Sequence, residues 1–296
     1  IRHLSKIVDK PIVWTMRDMW PMTGGCHYTM GCENFKKGCG QCPQLNSQSR
    51  LDLSRLVLNH KKKYLSEKIN LVGISEWLVE QAQESELFKN FDIRTIHNCI
   101  NIETFFPVDK QVARQLLGIK TEKKVVLVGS INTGDFYKGF SQYLDAIKLL
   151  DKNKFHLCFF GGLDLALASS TGFEFTSLGY LQDNISMRLA YSCADVYVAP
   201  SLLDAFGKTL VESMACGTPV VCFDATGPKD IISHFEDGYK AKPYESKDLA
   251  EGIQWVVFSQ NYKKLCKHAR KNAVEKFDSK VIANEYIELY NEVLTN

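Results

Sequence analysis

The chain has 296 residues, 45% of them hydrophobic and 24% charged, with a net charge of +2 and a pI near 8.0. That is room for two domains of ordinary globular composition. The near-neutral balance and the lack of any long basic block argue against nucleic acid as the main partner. The short run Lys61-Lys62-Lys63 reads as a solvated helix face.

No apolar stretch approaches the roughly 18 residues that span a bilayer. The opening IRHLSKIVDK lacks the apolar centre of a signal peptide. Ten cysteines in such a chain point to a reducing compartment. Cys158 in FHLCFF and Cys222 in VVCF read as small buried hydrophobes.

In chain order, strands are expected at 12–15, 71–75, 93–96, 125–129, 156–160, 175–178, 196–199 and 219–223. Helices are expected at 76–84, 138–150, 185–193, 208–215, 247–258, 262–276 and 279–294. Short apolar runs alternating with amphipathic ones are the α/β pattern. The connector IHNCINIETFFP places a boundary near residue 107. The series that follows is complete for a doubly wound sheet. The one before it offers three strands and no strand entering an early glycine-rich turn, so further N-terminal strands are expected outside this chain. The chain also starts with Ile1 rather than Met.

CHYTMGCENFKKGCGQC, residues 26–42, holds four cysteines in seventeen residues. Cys39 and Cys42 have the two-residue spacing that lets two sulfurs reach one ion, and Gly40 eases the turn between them. Cys26 and Cys32 are more loosely spaced. The segment is read as a structural zinc site made by Cys26, Cys32, Cys39 and Cys42, with reduced thiols and disulfides as the alternatives and His27 as a substitute ligand.

The stretch richest in chemistry is PSLLDAFGKTLVESMACGTPVVCFDATGPKD, residues 200–230. Gly207, Lys208 and Thr209 open a helix whose unpaired N–H groups and dipole favour an anion. Glu212 lies at i+4 from Lys208 on the same face. Asp204 precedes the helix. Two carboxylates flanking an anion site can hold hydroxyls on either side of a diphosphate, as a nucleoside diphosphate sugar presents them. Taken alone, either acid is equally well a dipole partner.

Seven residues separate Asp204 from Glu212, and the segment resembles the E-x7-E motif of glycosyltransferase family 4, with Asp204 in place of the first glutamate. ESMACGTPVV at 212–221 strengthens the likeness. WTMRDMWPMTGGCHY, GISEWLVEQAQESELF and IHNCINIETFFP resemble the colanic-acid or exopolysaccharide branch of that family. The resemblance covers most of the chain. It implies the GT-B fold: two Rossmann-like domains facing a cleft, the first incomplete here. The expected divisions are an acceptor-side domain at 1–107, a nucleotide-sugar domain at 108–276 and a final helix at 277–296 that returns to the first domain. The implied activity is retaining transfer of a hexose from a UDP- or GDP-sugar to a saccharide or lipid-linked saccharide, without a catalytic metal. The implied location is cytoplasmic, with peripheral association at the inner face of a membrane.

The resemblance also assigns roles. Lys138, with Gly139, opens the first helix of the second domain and contacts the donor diphosphate. Gly129 and Ser130 lie beneath the phosphates, where relatives often carry arginine beside the glycine. Tyr180 and Leu181 hold the base through backbone groups, and Ala205, Phe206, Gly207, Lys208 and Thr209 surround the diphosphate. Arg17, with Asp18, stands where this branch usually has histidine facing the donor sugar. Arginine stays protonated and cannot serve as a base. Trp14, Trp20 and Tyr28 offer faces for sugar stacking, although packing is the expected role of Trp14. A catalytically degenerate sugar-nucleotide binder is the alternative reading, and an epimerase or phosphorylase of the same fold is a third.

Overall fold

The computed structural model describes residues 10–65, 68–130, 136–162 and 165–295, with the side chains of Ser130 and Leu165 left out. These residues form two compact units. One holds the chain up to Asn98 together with Ile282 onward; the other is Cys99–Val281.

The first unit carries a three-stranded parallel sheet in the order β1-β2-β3, from β1 (Ile12–Met16), β2 (Ile69–Gly73) and β3 (Ile93–Thr95). Helix α1 (Leu53–Tyr64) starts at Asp52, whose carboxylate accepts from the Arg55 N–H. Helix α2 (Glu76–Glu84) starts at Ser75, whose hydroxyl accepts from Leu78 N–H. Both are ordinary side-chain N-caps. The C-terminal helix, which follows all the elements below, contributes Ile282 and Leu289 to a small core with Val72 and Ile96. Its Tyr286 hydroxyl lies 2.9 Å from Thr15 Oγ1.

The second unit is built on a six-stranded, all-parallel sheet. Its strands are β4 (Lys124–Ser130), β5 (Phe155–Gly161), β6 (Phe175–Ser177), β7 (Val196–Ala199), β8 (Val220–Phe223) and β9 (Gly238–Ala241). Their order is β6-β5-β4-β7-β8-β9. The chain therefore winds outward from β4 in one direction, returns, and winds outward from β7 in the other. The central strands are continuous apolar runs, as strands covered on both faces must be. The helices are α3 (Lys110–Leu116), α4 (Phe140–Ile147), α5 (Leu165–Ser170), α6 (Asn184–Cys193), α7 (Lys208–Ala215), α8 (Ser246–Phe258) and α9 (Tyr262–Phe277), followed by α10 (Ser279–Thr295). Val126, Val198, Phe159, Tyr143 and Ile253 lie in one core. Cys158 and Cys222 are fully buried in it or beside it.

Several sequence expectations need correction. Strand β9 and helices α1, α3 and α5 were not among the expected elements. GYKA is an edge strand with one neighbour, so it needs no long apolar run. Helix α4 begins at Phe140, not at 138, because Lys138 ends a 3-10 turn and Gly139 takes a left-handed conformation. Lys61 is not solvated. It is 3% exposed, and its ammonium donates to the carbonyls of Trp20 and Thr23 and sits 3.7 Å from the Trp20 ring centroid. The turn at Trp20–Met22 leaves carbonyls facing α1, and the lysine satisfies them.

Gly139 is the tightest point of the second unit. Its φ is +65°, and a Cβ there would stand 1.8 Å from the carbonyl oxygen of Pro200. Gly139→Ala should destabilise the chain by roughly 2–4 kcal/mol, from left-handed strain plus overpacking against backbone. Urea unfolding with an unchanged slope measures it; a loss below about 0.5 kcal/mol would show that the contact yields.

Candidate functional site

Strand order reverses between β4 and β7, and in doubly wound sheets ligands bind beyond the carboxyl ends of the strands at that point. Gly129 and Ser130 close β4 there. A Cβ on Gly129 would stand 2.0 Å from the Phe160 ring. The two following loops meet. Leu202 and Leu203 donate backbone N–H groups to the Tyr137 carbonyl at 2.8 and 3.2 Å. Lys138 Nζ lies 2.9 Å from Asp204 Oδ2. The other carboxylate oxygen of Asp204 accepts from Phe206 N–H at 3.2 Å, which fixes the acid at the turn into α7.

Helices α4 and α7 both open at this point on a left-handed glycine, Gly139 and Gly207 (φ +99°), without a side-chain cap. Ala205, Phe206 and Gly207 are buried, Lys208 is exposed, and Thr209 is intermediate. The Thr226-Gly227 turn closes over this entry: Gly227 N–H donates to the Asp204 carbonyl at 2.9 Å, and a Cβ on Gly227 would stand 2.4 Å from Ala205 backbone.

Glu212 is 7% exposed in the second turn of α7. Tyr191, from α6, donates its hydroxyl to Glu212 Oε2 at 2.9 Å, and Lys208 Nζ lies 3.4 Å from Oε1. Burial raises the Glu212 carboxyl above its ordinary value, against the pull of the Tyr191 hydrogen bond and Lys208. Tyr197 lies beneath, its hydroxyl bonded to Thr209 and pushed up by burial. Thus Lys138 and Asp204 touch, Lys208 and Glu212 touch, and all four belong to the switch-point loops and α7. Tyr180 is 64% exposed, and Leu181 follows it beyond edge strand β6. Tyr191 and the Thr226-Gly227 turn were missed by the sequence reading, since neither carries a local signal.

In the first unit, Arg17 is exposed directly after β1. Both oxygens of Asp18 are occupied nearby, by Trp20 N–H at 2.7 Å and His27 Nδ1 at 2.9 Å. Trp14 packs edge-on against Phe88, and the Trp20 ring lies under the Lys61 ammonium.

Cys26, Cys32, Cys39 and Cys42 line one small hollow, and all are unbridged. As placed, no group of three or more His, Cys, Asp or Glu side chains among the described residues is set to hold a metal ion. His27, paired with Asp18 and 77% exposed, is not a substitute ligand in this arrangement. Burial pushes the Cys26 thiol up to about 11, reinforced by Cys42, Cys39 and Cys32. Burial pulls Lys61 down to about 8, opposed by Cys39, Asp18 and Cys26.

A doubly wound parallel sheet with a lysine–carboxylate pair between two glycine-started helices defines an α/β protein whose switch point suits an anionic ligand. The chain belongs to the family Glycosyl transferases group 1, whose family model matches residues 109–276, more than half of its length. It is 26% identical over 83% of its length to a Campylobacter jejuni N,N'-diacetylbacillosaminyl-diphospho-undecaprenol alpha-1,3-N-acetylgalactosaminyltransferase, covering 67% of that protein. It is 24% identical over 76% of its length to a putative colanic acid biosynthesis glycosyl transferase of Escherichia coli, covering 54% of it. Among solved structures, sucrose-phosphate synthase from Thermosynechococcus elongatus matches 98% of this chain and 70% of its own, at 22% identity and a TM-score of 0.75. Anabaena HepE in complex with UDP-glucose matches 97% and 74%, at 21% identity and a TM-score of 0.70. These likenesses show the GT-B fold. The chain spans about two thirds of the length of the curated relatives it matches. No helix among the described residues is long and apolar enough to cross a membrane.

Glu212 ties this site to pH. Its carboxyl lies above the ordinary 4.5 when folded and near it when unfolded, so protonation favours the folded chain. That stability is fully present below about pH 4.5 and is lost as pH rises through the folded value. Glu212→Gln removes the loss. Its stability relative to the wild type should grow with pH across this window and level off above it. Urea unfolding of both proteins from acid to neutral pH tests this, and a pH-independent difference would sink it.

Proposed function

We propose that the protein transfers a hexose from a nucleoside diphosphate sugar, UDP- or GDP-linked, to a saccharide or lipid-linked saccharide during exopolysaccharide, capsule or O-antigen synthesis. The observation that carries this is the Lys138–Asp204 pair at the switch point, with Glu212 held by Tyr191 one turn inside α7. In this reading the segment at 108–276 is the donor domain and residues 1–107 belong to the acceptor side.

The donor diphosphate takes the N–H groups of Gly207, Lys208 and Thr209, with Ala205 and Phe206 beside it and Gly129 and Ser130 beneath it. Lys138 exchanges Asp204 for the diphosphate and stabilises the charge that grows on it as the sugar leaves. Asp204, released from Lys138, accepts hydroxyls of the transferred sugar. Glu212 accepts from the ribose. Tyr180 and Leu181 border the base. Arg17 and Asp18 are the first unit's candidates for contacts to sugar or phosphate; Arg17 acts by charge and hydrogen bonding, not as a base. Positive charge comes from Lys138, Lys208 and the α7 N-terminus, so the proposal calls for no catalytic metal. The E-x7-E-like spacing of Asp204 and Glu212 supports membership of glycosyltransferase family 4, whose enzymes retain the anomeric configuration, and WTMRDMWPMTGGCHY, GISEWLVEQAQESELF and IHNCINIETFFP support its colanic-acid branch. The lipid-linked substrate in the Campylobacter relative's name favours work at the inner face of a membrane.

A thermal-shift screen against UDP-, GDP- and ADP-sugars identifies the donor base. Glu212→Ala should weaken the donor that emerges by about 1.5–3 kcal/mol, roughly 10- to 150-fold, by loss of a charge-assisted hydrogen bond. Unchanged affinity by calorimetry would remove Glu212 from the site. Lys138→Ala should lower turnover roughly 10²- to 10³-fold while the fold survives. Tight donor binding with no transfer to any saccharide acceptor would replace the enzyme with a sugar-nucleotide binder.

A further inference from the structure

The cysteine loop takes no part in glycosyl transfer as proposed above, and its surroundings show what it is for. Cys26, Cys32, Cys39 and Cys42 arise from two separated turns yet line one hollow. Four consecutive residues, Gly38, Cys39, Gly40 and Gln41, have positive φ, a costly conformation for the two that are not glycine. The turn is held from outside. Gly40 N–H donates to Ser54 Oγ at 3.0 Å, and Cys42 N–H donates to Asp52 Oδ2 at 2.8 Å.

Two cations lie against the same loop, Lys61 buried and Arg55 half-buried. Lys61 faces Cys39 and Cys26 and has carbonyl oxygens as its hydrogen-bond partners. Arg55 lies along Gly38 and Gly40, the glycines flanking Cys39, and its buried Nε has no acceptor. Asp52 is spent on Cys42 N–H, the Ser54 hydroxyl and Arg55 N–H. Burying an ammonium and an unpartnered guanidinium Nε beside a loop is costly unless an anion is there to meet them.

We infer that the four cysteines bind one structural zinc ion as a tetrathiolate, with Lys61 and Arg55 as its counter-charges. Four thiols lose four protons to solvent as the ion binds, leaving a complex of net charge −2. As placed, the side chains do not yet form a coordination shell; binding draws the four sulfurs to about 2.3 Å from the ion by rotation about Cys side-chain torsions. The site is closed by four sulfurs and has no open position, so its role is to fold the 26–42 loop, not to activate substrate.

Metal analysis of the chain purified without chelators should find close to one zinc per chain. Cobalt replacing the zinc should give intense tetrahedral d–d bands and a thiolate charge-transfer band. Cys39→Ser and Cys42→Ser should lose the metal, whereas Cys99→Ser, at an exposed cysteine outside the loop, should keep it. Because a loop variant may unfold, the wild-type cobalt spectrum stands as the independent readout. Arg55→Met should hold zinc roughly 10- to 100-fold more weakly in chelator competition. Zinc below about a tenth of an equivalent with four titratable thiols, or a disulfide within the loop by peptide mapping, overturns the inference. Neither result bears on donor binding, which the second unit's variants test separately.

Discussion

The site depends on two backbone loops being pressed together at the switch point. Gly139 lies against the Pro200 carbonyl so closely that no side chain fits, and the Tyr137 carbonyl takes N–H groups from both Leu202 and Leu203. That contact fixes the end of the β4 loop on the start of the β7 loop. Only then can Lys138 reach Asp204 at 2.9 Å, and only then do α4 and α7 open side by side. Doubly wound topology brings β4 and β7 together; the glycine sets how close their loops come. The lysine's placement is therefore a backbone property, and a longer or shorter side chain at 138 would not restore it once the loops separate.

Glu212 shows the opposite economy. A carboxylate that is 7% exposed is expensive, and burial raises its pKa. The chain keeps it usable by giving each oxygen a donor, Tyr191 on one side and Lys208 on the other. Tyr191 and Tyr197 are buried phenols that bond to Glu212 and Thr209 of α7. Tyr191 holds the acid by hydrogen bonding, so in the proposed reading little ordering would remain for a ligand to supply.

Much of this was legible because the relevant spacing is local. Asp204, Gly207, Lys208 and Glu212 fall within nine residues, and a loop running into a helix is a pattern that a sequence displays directly. The apolar runs of β4, β5, β7 and β8 announced a sheet covered on both faces. What escaped depends on distant partners. Tyr191 precedes Glu212 by 21 positions and looks like any helix tyrosine. Lys61 sat in a run of three lysines, but the carbonyls that bury it come from Trp20 and Thr23, about forty residues earlier. Strand β9 was invisible because an edge strand needs apolar residues on few positions.

Helix starts at the candidate site differ from those elsewhere in this chain. Helices α1, α2, α3 and α6 begin at Asp52, Ser75, Asp109 and Asp183, whose side chains satisfy the first N–H groups. Helices α8 and α9 also lack a side-chain cap, so its absence alone says little. What marks α4 and α7 is a left-handed glycine in the capping position, at the one place where the strand order reverses. An aspartate there would cap the helix and put a negative charge where the proposed diphosphate would lie. Glycine leaves the N–H groups to the ligand and bends the chain sharply enough for the next loop to close on it. The carboxylate that capping would have needed stands three residues earlier, at Asp204, where it bonds Phe206 N–H and Lys138 without covering the α7 N-terminus. Moving the acid out of the cap position leaves both an uncapped helix start and a carboxylate within one short loop, the pair that the proposed donor binding uses.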